Sequence, residues 1–290
     1  MNNRKEICTK ANQAVILTFA IAGASFGSWA SRIPSLKNQL DLEAVELGGI
    51  LLVLAMASVT SFPLSGRAID LYGAARVTSY LTWATLISLV LISFADSVLG
   101  LTLCVAIFGA SLGALDVAMN GWGAEVERQG PKSIMSSLHA YWSLFAGIGG
   151  LIGFLAVQFN LTVLQHFLAA SGLMGLLALR ASRISWVGST VNKATPMFAW
   201  PKKNLLFVGL LMFCAALAEG AVADWAAIFV SDRFNLTEAM ALSSFMTFSF
   251  AMFLGRMLAD DLVDRYGAAR ICGVGGWFAT IGIGIILLSP

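Results

Sequence analysis

Asp116 and Asn120 stand four residues apart in the stretch "GASLGALDVAMNGWGAEVER". Four residues is close to one helical turn, so the carboxyl and the amide share a face. Such a pair suits a carboxyl that carries a proton or binds a hydroxyl, with the amide as a second partner for a polar solute. A charge at mid-membrane costs about 2.5–3.5 kcal/mol on insertion scales, so an acid in an apolar run must face a cavity or a partner. The alternative for Asp116 is an ion pair with Arg128 or Arg76 that works as a gate. Glu219 and Asp224, in "ALAEGAVADW", are the next such acids. A helix interrupted near Gly220 would aim either into a central cavity. Asp224 reads first as a wetted rim residue, and Glu219, placed deeper, is the better candidate. His139 titrates near neutral pH in its unperturbed state, and it reads either as a proton carrier or as a packed, hydrogen-bonded residue. Arg32, beside Pro34, is a candidate for an anionic solute, an outer gate or a snorkelling contact. Trp29 and Trp142 are candidates to stack on a sugar ring, or to sit at a bilayer interface.

These residues need scaffolding, and the composition says which kind. The chain has 290 residues, of which 58% are hydrophobic and only 12% charged. A soluble protein of this length carries far more surface charge, so the apolar excess must face lipid. Apolar runs of about 20 residues are long enough to span a bilayer. Nine occur, near 12–32, 44–65, 75–96, 99–122, 134–157, 161–181, 204–228, 238–260 and 269–289. The N-terminal run has the basic start of a leader, but it is long and more spans follow, so it is expected to be retained as the first helix. Placing the N-terminus in the cytoplasm puts 15 of the 18 lysines and arginines on that side, Arg256 among them, and leaves Arg32, Lys37 and Arg233 outside. That is the asymmetry expected of a multi-pass membrane protein.

Other functions lack a basis. A net charge of +2 does not suggest nucleic acid. Cys8, Cys104, Cys214 and Cys272 show no pair spacing, so neither a metal site nor a disulfide framework is expected. No nucleophile–base pair, His-Glu-x-x-His site or phosphate loop is present, so the chain reads as neither an enzyme nor a primary pump, with no cofactor. "GASLG" and "GGLIG" place small residues four apart, which lets helices approach closely.

One motif is written twice. "YGAAR" occurs at 72–76 and at 266–270, with Asp70 and Asp264 two residues upstream and an offset of 194. At the same offset "LDLEAVEL" at 40–47 faces "FNLTEAMA" at 234–241. With a two-residue gap, "GSWASRI" lines up with "ADWAAIF". Spans 1–3 and 7–9 therefore read as two copies of one unit, a parallel repeat of the kind found in transporters. The expected organisation is a six-helix half over 1–183, a cytoplasmic linker over 184–203 and three further helices over 204–290.

"GRAIDLYGAAR" resembles the signature of the major facilitator superfamily, which runs roughly G-x-x-x-D-R/K-x-G-R-R/K. Gly66, Asp70 and Gly73 match it, while Leu71, Ala74 and Ala75 depart from it. The second copy restores the missing charge as Asp264-Arg265-Tyr266-Gly267. "GSWASRIP", "LHAYWSLFAGIGGLIG" and "ALAEGAVADW" resemble a bacterial permease branch similar to the fucose–proton symporters. The resemblance implies an all-α, major-facilitator-type bundle. It implies a monomeric, proton-coupled secondary transporter of a small polar, sugar-like solute, working by alternating access. Gly66, Asp70, Gly73, Arg76, Asp264, Arg265, Gly267 and Arg270 would form the gating loops, with Glu125 and Arg128 as inner-gate charges. An acid on the fourth span is similar to Asp116; the acid that the fucose–proton group also has on its first span has no counterpart here. Family members have twelve spans. A truncated product or a fragment is therefore expected, and the competing reading is a non-transporting chain or one part of a split permease.

Overall fold

The computed structural model describes residues 2–130, 134–184, 186 and 203–288. Among them lie α1 (Asn2–Ala30), a short α2 (Ile33–Gln39), α3 (Ala44–Tyr72), α4 (Ala74–Ile92), α5 (Val98–Gln129), α6 (Met135–Gln158), α7 (Val163–Ser182), α8 (Lys203–Phe234), a short α9 (Glu238–Ala241), α10 (Ser243–Tyr266) and α11 (Ala268–Leu288). Nine of these helices are long and apolar enough to cross a membrane, one for each expected span. No strand occurs among the described residues. The linker expected over 184–203 falls, apart from Ile184, Trp186 and Lys203, outside the described residues, as do Lys132 and Pro290.

Local chemistry sets the helix ends. Glu43 and Glu46 form a reciprocal capping box at the start of α3, and Thr162 and Gln165 form another at α7. The Ser97 hydroxyl accepts the Gly100 N–H at 3.2 Å to cap α5. Pro34 opens α2, where its missing N–H costs nothing.

The repeat is present in the backbone. Gly73 ends α3 and starts α4 at φ 84°, ψ 145°, and Gly267 turns between α10 and α11 at φ 82°, ψ 144°. Only glycine takes that conformation without a Cβ penalty. Asp41 (φ 50°) and Asn235 (φ 51°) occupy matching left-handed positions ahead of α3 and α9. Both are residue types that tolerate that region.

α1 is the central helix, with 83% of its spanning window buried, against none for α11. It meets α6 with backbone almost on backbone. A Cβ on Gly23 would overlap the Trp142 carbonyl, and one on Gly27 the Ala146 carbonyl. From the other side, a Cβ on Gly149 would overlap the Ala24 carbonyl. α3 and α5 close in the same way through Gly109 and Gly113, and Ser65 donates across them to the Ala114 carbonyl at 2.7 Å. α10 packs on α6 in the most extensive contact between the first seven elements and the last four, with smaller contacts of α9 on α6 and α8 on α2.

Three expectations change. α8 is one continuous helix through Gly220, because a single glycine lowers helix propensity by about 1 kcal/mol but keeps its N–H in the backbone ladder. The eighth span is broken at Leu242 into α9 and α10. Arg256, counted among the basic residues of the cytoplasmic side, lies ten residues before the end of α10, about 15 Å into the bundle at 1.5 Å per residue.

Candidate functional site

α1, α6, α8 and α10 enclose a cavity of about 190 Å³. Phe26, Trp142, Phe245 and Phe248 give it an aromatic wall; Ser143, Glu219 and Ser249 give it a polar one. Phe26 sits 5.5 Å from Trp142 and 6.4 Å from Phe245 between ring centroids. Gly220 keeps the α8 wall open beside Glu219, with nothing within 4 Å of where a Cβ would stand.

Arg256 organises the polar wall. One terminal nitrogen donates to both Glu219 oxygens, at 3.0 and 3.1 Å. The other donates to the Ser143 hydroxyl and, at 3.4 Å, to the His139 carbonyl. The guanidinium carbon lies 5.9 Å from the Trp142 ring centroid, within cation–π range. The two side chains of the ion pair are 25% and 31% exposed, so the pair is accessible to a solute without being a surface bridge. This links α10 to α6 and α8 through one planar group, a role suited to arginine rather than lysine.

The sequence candidates divide around this site. Glu219 is in it and Trp142 lines it. His139 contributes its carbonyl, while its ring packs edge-on against Phe19 at 5.4 Å. Asp224 is only partly buried and is not a lining residue, although Ala223 beside it is. Trp29 is 1% exposed and packs against Phe108 at 6.0 Å, so its expected role as a stacking platform is corrected: α1 turns it into the core. Asp116 and Asn120 do share a face. The Asn120 amide donates to the Asp116 carboxylate at 3.2 Å and to its carbonyl at 2.9 Å. They lie on an open flank of α5 outside the cavity. No ion pair from Asp116 to Arg76 or Arg128 occurs among the described residues.

Arg32 is 3% exposed and does not snorkel. Its Nε donates to His166 Nδ1 at 3.2 Å, and its terminal nitrogens reach Ser35 Oγ and the Leu161 and Thr162 carbonyls. It ties α1 and α2 to the start of α7. Arg32→Lys, keeping the charge but losing the fork, is expected to lower the melting midpoint by about 4–8 °C, from a loss of about 2 kcal/mol. A scan in detergent that shows no change would remove the locking role.

At the Gly73 end, Glu125 is 7% exposed and accepts from Trp186 Nε1 at 3.0 Å, while Arg128 is exposed. Glu127 accepts the Ile134 and Met135 N–H groups and so caps α6. Asp70 lies near the end of α3 and Asp264 at the equivalent place on α10; Gly66 has open space around it, and Arg76, Arg265 and Arg270 are exposed. Sequence reasoning missed Arg256, Ser143 and Glu127. The signal for Arg256 was its place inside the expected span 238–260, a charge in an apolar run.

No family model matches the chain. An uncharacterized transporter of Sinorhizobium fredii is 33% identical over 279 residues, covering 96% of this chain and 74% of the relative. An uncharacterized MFS-type transporter of Yersinia pestis is 30% identical, covering 94% and 71%. The membrane protein MosC of Rhizobium meliloti is 27% identical, covering 96% and 68%.

Proposed function

This chain belongs to the major facilitator superfamily of membrane transporters, and from that premise we propose that it carries a small, polar, sugar-like solute by proton-coupled alternating access. The observation that carries the reading is Glu219, paired with Arg256, on the wall of an aromatic cavity between α1/α6 and α8/α10. The paired charges cancel, which favours a neutral solute. Aromatic rings suit the C–H face of a sugar or cyclic polyol, and Glu219, Ser143 and Ser249 suit its hydroxyls. Its volume holds a single small molecule: water takes about 30 Å³, so about six waters would fill it.

Alternating access needs the two groups of helices to rock about this site. The α3–α4 and α10–α11 corners, with Asp70, Arg76, Asp264, Arg265 and Arg270, are proposed as gates on the cytoplasmic side of the inner membrane. Glu125 and Arg128 stand on that side as well, and Arg32 marks the outer end. The N-terminus is then cytoplasmic and the working unit a monomer. Asp116, outside the cavity but paired only with Asn120 among the described residues, is proposed as a proton carrier.

The test is uptake of labelled monosaccharides and cyclic polyols into proteoliposomes with an alkaline interior. Accumulation above equilibrium, collapsed by a protonophore, is expected for the wild type. Asp116→Asn is expected to reduce it to equilibration while the protein still inserts. Unchanged accumulation in Asp116→Asn sinks the proton role, and no uptake of any probe sinks the solute class.

A further inference from the structure

A second and larger cavity, about 420 Å³, lies away from the Glu219 site at the Gly73 end of α4 and α7. Its lining includes Arg76, Ser79, Tyr80, Trp122, Ser182 and Trp186. α1 and α5 close its back. Arg76 is on the first turn of α4, whereas Trp122 is seven residues from the end of α5, so the cavity runs about 10 Å inward. Above it the seam between α4 and α7 shuts, where a Cβ on Gly175 would stand 3.3 Å from the Trp83 ring.

The chemistry of the lining is one-sided. Among the described residues Arg76 is the one charged member of the lining, and no acid is part of it. Among the described residues Arg76 has no hydrogen bond or ion pair, although it is exposed at the mouth. Ser79, Tyr80 and Ser182 add hydroxyls. Trp122 is 3% exposed, and its indole N–H has no partner among the described residues. Trp186 is held in place through its bond to Glu125, so that wall is fixed. An unpaired guanidinium over a cavity of hydroxyls matches a phosphate, which accepts from both. The lip faces lipid: Tyr80 is exposed, and Ile87 and Leu176 are exposed beyond it on α4 and α7.

We propose that this cavity binds a phosphate group, carried by an anionic glycerophospholipid whose acyl chains lie along α4 and α7. Basic pockets between transmembrane helices hold such headgroups. The proposal is independent of the solute site.

The test is the melting midpoint of the full chain in neutral detergent, titrated with phosphatidylglycerol, phosphatidylcholine, glycerol 3-phosphate and inorganic phosphate. Phosphatidylglycerol at a hundredfold excess over its dissociation constant is expected to raise the midpoint by about 5–11 °C, and phosphatidylcholine far less. Arg76→Gln is expected to lose most of that rise. Ser182→Trp, which fills the mouth without changing any charge, is expected to lose it too, and it decides the matter if Arg76→Gln does not fold. Arg183→Gln, removing a nearby charge that does not line the cavity, is expected to keep it. The same pattern with the soluble phosphates in place of the lipid would support the phosphate site and overturn its lipid source. A rise unaffected by Ser182→Trp, or lost equally in Arg183→Gln, is general attraction to anions and overturns the proposal. So does the absence of any rise.

Discussion

Arg256→Lys is expected to abolish solute accumulation as completely as Arg256→Leu, with both proteins still in the membrane. The reason is geometric. Arg256 uses one nitrogen for Glu219 and the other for Ser143 and the His139 carbonyl. An ammonium on a flexible stem satisfies one side or the other, not both. The leucine variant also leaves Glu219 as an unpaired carboxylate. Breaking a fully buried pair costs about 3–5 kcal/mol. Here the partners keep 25% and 31% exposure, so a cost of about 2 kcal/mol is expected, a fall of about 4–8 °C in melting midpoint. Removing both charges, as Glu219→Gln with Arg256→Leu, is expected to recover most of that stability but none of the transport. Paired measurement of midpoint and uptake separates the two roles. If the double variant transports, the pair is a structural staple and the site lies elsewhere.

Much of the architecture was open to reading because lipid imposes it. Nine apolar runs gave nine long helices, since a chain in hydrocarbon must satisfy its backbone internally. The repeat was legible for a sharper reason. The corner between α3 and α4 needs a left-handed residue, and glycine at 73 and 267 meets that need in both copies. Asp41 and Asn235 fill a second such position with different residue types, so identity alone would have missed it. The site was less legible. Glu219 stood out because an acid in an apolar run has few explanations. Arg256 was hidden by its assignment to the cytoplasmic side with the loop arginines, although it falls within the expected span 238–260 and α10 carries it about 15 Å from its end. Trp29 misled for the opposite reason. Its type suits a sugar, but which face of α1 it occupies depends on α5, whose Phe108 it meets. Ser143 could be found only once α6 and α10 were known to touch.

The close approach of α1 and α6 makes the last prediction, and its cost falls on folding rather than on chemistry. At Gly27 a Cβ would overlap the Ala146 carbonyl and lie 3.0 Å from the Gly150 nitrogen. Both obstacles are backbone, so no side-chain rotation relieves them. Gly27→Ala must therefore push α1 from α6, which costs about 1–3 kcal/mol by overpacking, a fall of about 2–12 °C. Gly27→Leu is expected to leave little folded protein. The comparison that makes the result interpretable is Gly172→Ala on α7, where nothing lies within 4 Å. There alanine gains helix propensity without meeting an obstacle, so the midpoint should hold or rise slightly. Equal losses at both positions would mean that the damage comes from replacing any glycine, and that α1 and α6 are not in backbone contact. A loss at Gly27 alone fixes α1 and α6 as one rigid wall of the cavity. Motion about the Glu219–Arg256 site must then come from α8 and α10 sliding against it.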